Sequence, residues 1–208
     1  MADISAKKTF VSNSTASSRM FKRDWMEALS KVHFSVPLVL YLPVISWCLW
    51  NAPMAWASAG LVVGGLFAWT LVEYVLHRFV FHWMPPGKVG ARIHFIFHGV
   101  HHDYPNDRLR LVMPPSVSIP LALIFFFTYK ALLGVPTVFP FFAGFVSGYL
   151  FYDTMHYAMH HLNWKNAWFQ RIKQHHMQHH YQHDDMGFGV SNPLWDYVFN
   201  TTFNQKKK

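Results

Sequence analysis

The stretch HHMQHHYQHDD, residues 175–185, places five histidines and two aspartates in eleven positions. Fourteen of the fifteen histidines lie between His77 and His183, in four short clusters. These are HRFVFH (His77, His82), HFIFHGVHH (His94, His98, His101, His102), HYAMHH (His156, His160, His161) and HHMQHHYQH (His175, His176, His179, His180, His183). Burying ten or more imidazoles together is costly without a common partner, and protonating them would add mutual repulsion. A metal ion removes both penalties, because neutral imidazole is a good ligand for iron, zinc, copper and nickel. The residues are interleaved with Phe, Tyr, Gly and Met, unlike a terminal purification tract.

Spacing decides which rings can meet. Helical positions three and four apart share a face. His98, His101 and His102 are thus expected to converge, as are His156 with His160, and His176 with His179 and His180. His77 and His82 are five apart and would diverge on a regular helix, so the chain must bend or end its helix between them. Ten ligands exceed what one first-row ion accepts, and two ions with four or five imidazoles each is the economical count. Glu73 and Asp153 lie one turn before His77 and His156, where a carboxylate can accept a ring N–H. Asp184 and Asp185 read equally well as such partners or as a solvated helix end. His33, alone on an apolar segment, reads as a hydrogen-bonded core residue. A zinc hydrolase usually needs one ion, three ligands and an open water position. Two all-histidine ions beside a membrane fit redox-active iron that uses O2 against a strong C–H bond in a lipid.

The elements that position these clusters are apolar. Hydrophobic residues make up 52% of the 208-residue chain and charged residues only 13%, with a mean hydropathy of +0.11. A soluble domain has about 25% charged residues, so only part of this surface is expected to meet water. The one cysteine, Cys48, excludes an intrachain disulfide framework and a Cys-based zinc site. No cleavable signal peptide is apparent in the first 30 residues.

Residues 1–33 read as a polar, disordered tail (1–15) followed by a basic amphipathic helix on a membrane surface (RMFKRDWMEALSK, 19–31). Residues 34–208 then form one membrane domain. Two apolar blocks, broken at Asn51-Ala52-Pro53 and Gly134-Val135-Pro136, are each long enough for two crossings of about 20 residues. The predicted spans are 34–50, 55–76, 116–133 and 138–155, with kinks at Pro37 and Pro43. The fold class is all-α integral membrane: four transmembrane helices as two hairpins, plus a cytosolic helical cap holding a histidine-rich dimetal site. Apart from Lys130, the eighteen Lys and Arg fall before, between and after the two blocks, and the hairpin turns carry none. Positive segments mark the cytoplasmic side, which places every histidine cluster there. The +8 charge then fits anionic lipid head groups rather than nucleic acid.

At these residues the sequence resembles the membrane fatty acid hydroxylase and sterol desaturase superfamily, within it the fatty acid 2-hydroxylases. The resemblance runs through EYVLHRFVFH (73–82), FHGVHHDYPNDRLRLVMPP (97–115), GYLFYDTMHYAMHH (148–161) and HHMQHHYQHDDMGFGVSNPLWDYVFNT (175–201). DRLRLVMPP and GFGVSNPLWDYVFNT are its more specific features. Carried over by position, the resemblance implies metal ligands at His77, His82, His98, His101, His102, His156, His160, His176, His179 and His180. His94, His161, His175 and His183 lie outside that set. Tyr152 and Asp153 match residues beside the family's metal centre and are expected to orient ligands or the acyl head group.

The resemblance further implies O2-dependent hydroxylation at C2 of a fatty acid or of the acyl chain of a sphingolipid-type lipid. The cofactors would be two iron ions, with zinc able to occupy the same imidazole sites in purified protein. Some 33 residues precede the first span and no His-Pro-Gly-Gly heme motif occurs, so electrons are expected from a separate cytochrome b5 or ferredoxin type protein. The membrane would be a bacterial inner membrane or the endoplasmic reticulum. Two other readings compete: a lipid desaturase or sterol or carotenoid hydroxylase of the same superfamily, and a non-catalytic membrane metal-handling protein. The last expects ligands strung along a path through the bilayer, whereas these gather near its edge.

Overall fold

A computed structural model describes residues 10–203 and contains, among them, helices and no strand. The first nine residues of the expected tail and the basic residues Lys7, Lys8, Lys206, Lys207 and Lys208 lie outside the described residues. Four long helices carry the apolar blocks: α2 (Ser35–Trp50), α3 (Trp56–Leu76), α6 (Pro115–Leu133) and α7 (Val138–His161). They begin and end close to the four predicted spans, α7 running six residues further. Shorter helices complete the chain: α1 (Asp24–Leu29), α4 (Gly87–His94), α5 (Val100–Asp103), α8 (Ala167–Tyr181) and α9 (Leu194–Val198).

Two of these helices are long and apolar enough to cross a membrane: Trp56–Phe81, which is α3 with its continuation, and Pro115–Leu133. Only 22% and 6% of their apolar windows is buried. The core helix of a soluble protein would be mostly covered, whereas these leave a long apolar surface facing outward. Breakers set the ends. Asn51 closes α2, its side-chain amide donating to the Trp47 carbonyl at 2.8 Å. Gly134, at φ 74°, closes α6, and its N–H donates to Lys130 O at 2.9 Å. α2 continues through Pro43, while Pro37 sits in its first turn, where the missing N–H is no loss.

The chain divides into two compact units. One comprises Arg19–Val72 and Leu109–Thr154. Its core is aromatic: Trp69 meets Phe145 and Tyr149 at centroid distances of 5.2 and 5.3 Å, and Tyr41 meets Tyr149 at 5.2 Å. α3 and α7 touch backbone to backbone there, because a Cβ added at Gly144 would lie 1.9 Å from Val62 O. The basic helix expected over 19–31 is shorter than its pattern implies. Glu27 turns back to accept the N–H groups of Met20 and Phe21 at 2.9 and 3.0 Å, which keeps residues 19–23 out of the helix. Glu27 also pairs with Lys31 at 3.1 Å and with Arg110. Burial opposes its charge, but those two N–H groups, Lys31 and Arg110 outweigh it and bring its pKa down to about 2. His33 is hydrogen-bonded as expected, to Ser35 Oγ at 2.8 Å, but it is exposed rather than part of a core.

The other unit comprises the stretch ending at Ser18, Glu73–Arg108 and the chain from Met155. Within it the tail expected to be disordered is partly strapped down. Ser12 N donates to Asp103 O at 2.8 Å and Phe10 meets the Tyr104 ring, while just beyond the tail Ser18 N donates to the buried Asp107 at 3.1 Å. α8 starts at Asn166, whose side chain caps the N–H groups of Trp168 and Phe169 at 2.9 and 3.3 Å. It buries Phe169, Ile172, His176, His179 and His180.

The close approach of α3 and α7 is testable. Gly144→Ala is expected to cost about 1–3 kcal/mol. Gly60→Ala, where a Cβ meets nothing within 4 Å, should be neutral or gain up to about 1 kcal/mol of helix propensity. Thermal unfolding in detergent separates the two, and equal effects would contradict the backbone contact.

Candidate metal centre

All fourteen clustered histidines belong to the second unit, so their geometry can be read within it. Ten of them form two groups of five. His77, His82, His98, His102 and His179 make the first; His101, His156, His160, His176 and His180 make the second. In each, one ring nitrogen per residue lies within 4.8 Å of all the others. Seven rings are buried and three, His82, His102 and His160, partly so. The structure thus brings together the ten positions at which ligands were expected.

The partition between groups differs from simple face-sharing. His101 leaves His98 and His102 for the other group, and His179 leaves His176 and His180. Adjacent helical residues point about 100° apart, so the pairs His101/His102 and His179/His180 each feed both groups from one turn of backbone. The groups abut: the His102 and His180 rings stack at 4.2 Å.

The awkward spacing of His77 and His82 is solved by the backbone. α3 widens into a π-helical turn over His77–Phe81, and His82 N donates to His77 O at 3.1 Å, five residues back. That brings the two rings to 4.9 Å between centroids. A second π turn, Phe95–Gly99, joins α4 to α5 and carries His98. Single π turns often mark functional sites, because the extra residue re-aims a side chain at a cost in helix stability.

Within the groups the Nε2 atoms face one another in close pairs: His77 with His98 at 3.0 Å, His82 with His179 at 3.0 Å, His101 with His156 at 2.9 Å, and His160 with His176 at 2.9 Å. Two nitrogens about 2.1 Å from a common ion and at right angles lie about 3.0 Å apart. The pairs therefore have the length of an edge of a coordination shell. Tautomers agree. His77 Nδ1 donates to Phe188 O and His179 Nδ1 to Met186 O, both at 2.6 Å, which leaves each Nε2 a bare lone pair aimed into its group. His102 Nε2 and His180 Nε2 are buried without a hydrogen-bond partner among the described residues. Each close pair can share one proton as an N–H···N hydrogen bond, whereas a soft or borderline cation would be satisfied by all five nitrogens of a group at once.

The protonation states fit too. Burial, and after it the charge on neighbouring rings, holds His82, His98, His101, His102, His176 and His180 well below the ordinary histidine value. Burial also lowers His179. These rings are neutral near pH 7, the form a metal binds.

The other expected partners take different places. Glu73 is buried but serves the backbone of the 188–191 loop: its Oε1 accepts Val190 N at 2.9 Å and Ser191 N at 2.7 Å. The ring N–H of His77 goes to a carbonyl of that loop instead. Asp184 and Asp185 are exposed, and the Met186 carbonyl takes the N–H of His179. Asp153, buried, accepts Tyr149 Oη–H at 2.9 Å and Met113 N at 3.4 Å. Tyr152 is buried with its ring 5.9 Å from that of Trp69. His175 Nε2 lies 3.3 Å from Asp196, His183 is exposed beside Phe203, and the buried Nδ1 of His94 has no hydrogen-bond partner among the described residues. Residue-level reasoning missed Phe188 and Asp196. The Phe188 ring lies 5.4–5.8 Å from those of His77, His82 and His179. Asp196 is completely buried and accepts from Phe188 N, Gly189 N and Thr201 Oγ1. Their only signal was the GFGVSNPLWDYVFNT segment as a whole.

Residues 62–201 match the family model described as fatty acid hydroxylase. The dihydroceramide fatty acyl 2-hydroxylase FAH1 of Arabidopsis thaliana is 39% identical over 188 residues, which cover 88% of this chain and 79% of the relative. The ceramide very long chain fatty acid hydroxylase SCS7 of Saccharomyces cerevisiae is 38% identical over 86% of this chain, about half (48%) of its own length. The solved structure of full-length scs7p, in which only the hydroxylase domain is visible, superposes with a TM-score of 0.81 at 37% identity. That match covers 86% of this chain and 70% of the other.

The lowered histidines set a pH dependence. Their folded state binds fewer protons than the unfolded chain once pH falls below about 6.5, so stability is full above that value and drains away below it. Metal-free protein should lose melting temperature steadily from about pH 7 to about pH 5. A flat profile over that range, by scanning calorimetry or fluorescence, would contradict the buried neutral cluster.

Proposed function

The chain belongs to the fatty acid hydroxylase family of enzymes, and on that premise we propose that it hydroxylates a fatty acyl chain at C2, using O2 and two iron ions. The observation that carries this reading is the pair of abutting five-imidazole groups. Each would hold one ion through the ten histidines named above. Bound there, iron supplies the oxidative chemistry that breaks the C–H bond. Imidazole-only sites take zinc as readily, so zinc in purified protein would agree with the same site.

The chain's own residues prepare that site. Burial keeps the rings neutral. The Phe188 and Met186 carbonyls hold the His77 and His179 rings with Nε2 facing inward, and the Phe188 ring walls one side of the first group against water. Tyr152 and Asp153 directly precede Thr154, Met155 and His156 in α7. We assign them to orienting His156 or the acyl head group, with Asp153 itself fixed by Tyr149 and Met113 N.

The named relatives act on dihydroceramide fatty acyl and ceramide very long chain fatty acid substrates, which supports a sphingolipid-type acyl chain here. The four long helices would cross the bilayer as two hairpins, and the positive charge on the histidine-bearing segments favours the cytosolic side of an endoplasmic reticulum or bacterial inner membrane. Electrons would come from a donor of the cytochrome b5 or ferredoxin type.

Lipid mass spectrometry after expression in a host without the activity tests this. Acyl chains one oxygen heavier, with the hydroxyl at C2, are expected with the native chain. His179→Ala should cut them at least about a hundredfold. Products two hydrogens lighter would favour a desaturase, and an unchanged lipid profile despite iron, reductant and O2 would contradict the proposal.

A further inference from the structure

The two groups of five are built with unequal support. The loop 188–191 has four successive backbone N–H groups taken by two buried carboxylates. Phe188 N and Gly189 N donate to Asp196 at 2.9 and 2.8 Å; Val190 N and Ser191 N donate to Glu73 Oε1 at 2.9 and 2.7 Å. Ser191 Oγ adds a bond to Glu73 Oε2 at 2.5 Å, and Thr201 Oγ1 one to Asp196 Oδ1 at 2.7 Å. The loop also passes so close to its neighbours that a Cβ at Gly189 would lie 2.2 Å from Asn192 O. A segment fastened at every N–H cannot reorient its carbonyls cheaply. One of these, Phe188 O, accepts from His77 Nδ1, while the neighbouring Met186 O accepts from His179 Nδ1.

Both carbonyls serve the first group. In the second, the Nδ1 atoms of His176 and His180 are buried without a protein partner among the described residues. A ligand ring whose second nitrogen is tied to a fixed carbonyl has its tautomer and plane set before an ion arrives, and its donor nitrogen is made more basic. A ring without that tie must be ordered by the ion itself, which weakens net binding.

We propose that the two groups bind their ions unequally: the group of His77 and His179 fills first and retains its ion, while the group of His176 and His180 exchanges. Glu73 acts through the loop as a positioning residue for the tighter site. The proposal rests on the two-metal reading above and deepens it.

The test uses the full chain in detergent, loaded with zinc and dialysed against graded chelator, with retained zinc measured by elemental analysis. Two release steps at least about tenfold apart in chelator are expected. His180→Ala should shift only the more labile step, and His179→Ala only the tighter one. Glu73→Gln should bring the tighter step about tenfold towards the labile one. Ser191→Ala, which removes the hydroxyl bond to Glu73 and the longer one accepted from Asn192 Nδ2 but leaves both backbone N–H bonds to Glu73, should move that step in the same direction by less, and it carries the comparison if Glu73→Gln misfolds by circular dichroism. Simultaneous release of both ions, a shift of the tighter step by His180→Ala, or an unmoved tighter step in the loop variants would overturn the proposal. Retention of fewer than two ions without chelator would instead sink the two-metal reading beneath it.

Discussion

Ten imidazoles are gathered in two groups, each with one ring nitrogen per residue within 4.8 Å of all the others, and four Nε2 pairs stand at 2.9–3.0 Å; several features of that unit hold this arrangement in place. A neutral pair avoids facing lone pairs only by one ring donating its N–H to the other, and burial removes the water that would otherwise satisfy each nitrogen. Protonation is no escape, because the charges would lie against one another in a poorly solvated interior. A cation in each group would take up five nitrogens at once, which a proton shared between two rings does not do. In ordinary core packing, by contrast, each polar group is matched by its protein neighbours.

The backbone devices follow from that constraint. A regular helix cannot aim His77 and His82 at one point, so α3 gives up regular hydrogen bonding for a π turn at His77–Phe81. Consecutive pairs, His101/His102 and His179/His180, let one helical turn feed two adjacent groups. The loop after α8 contributes no ligand yet sets ring orientation through carbonyls, with Glu73 and Asp196 fixing its amide groups. In that loop two buried carboxylates act on the backbone, and the backbone acts on imidazole. This differs from direct carboxylate–histidine pairing, and it leaves the carboxylates fully hydrogen-bonded instead of competing for the metal.

Much of this was legible in the sequence, and the residues that were not share a physical reason. Apolar length and turn residues fixed the four long helices to within a few positions, except that α7 continues to His161 because its polar end keeps helical spacing. Histidine density pointed to metal, and the five-residue gap between His77 and His82 announced a break in helical geometry. What spacing could not supply was which histidine joins which group, since that depends on ring direction around each helix rather than on shared faces. Nor could it find Phe188 and Met186, whose contributions are backbone carbonyls carrying no residue-type signature, or Asp196, whose partners are mainly amide groups. The amphipathic pattern over 19–31 misled for a related reason: Glu27 is used to capture the N–H groups of Met20 and Phe21, a local contact that periodicity does not encode.

The central claim is that two all-nitrogen cages sit side by side in one folded unit. X-ray absorption at the metal edge of the purified protein, combined with elemental analysis, addresses it most directly. The account expects two ions per chain, each with a first shell fitted by imidazole nitrogen at about 2.0–2.2 Å. A single ion per chain, or a first shell dominated by carboxylate oxygen or by sulfur, would contradict it.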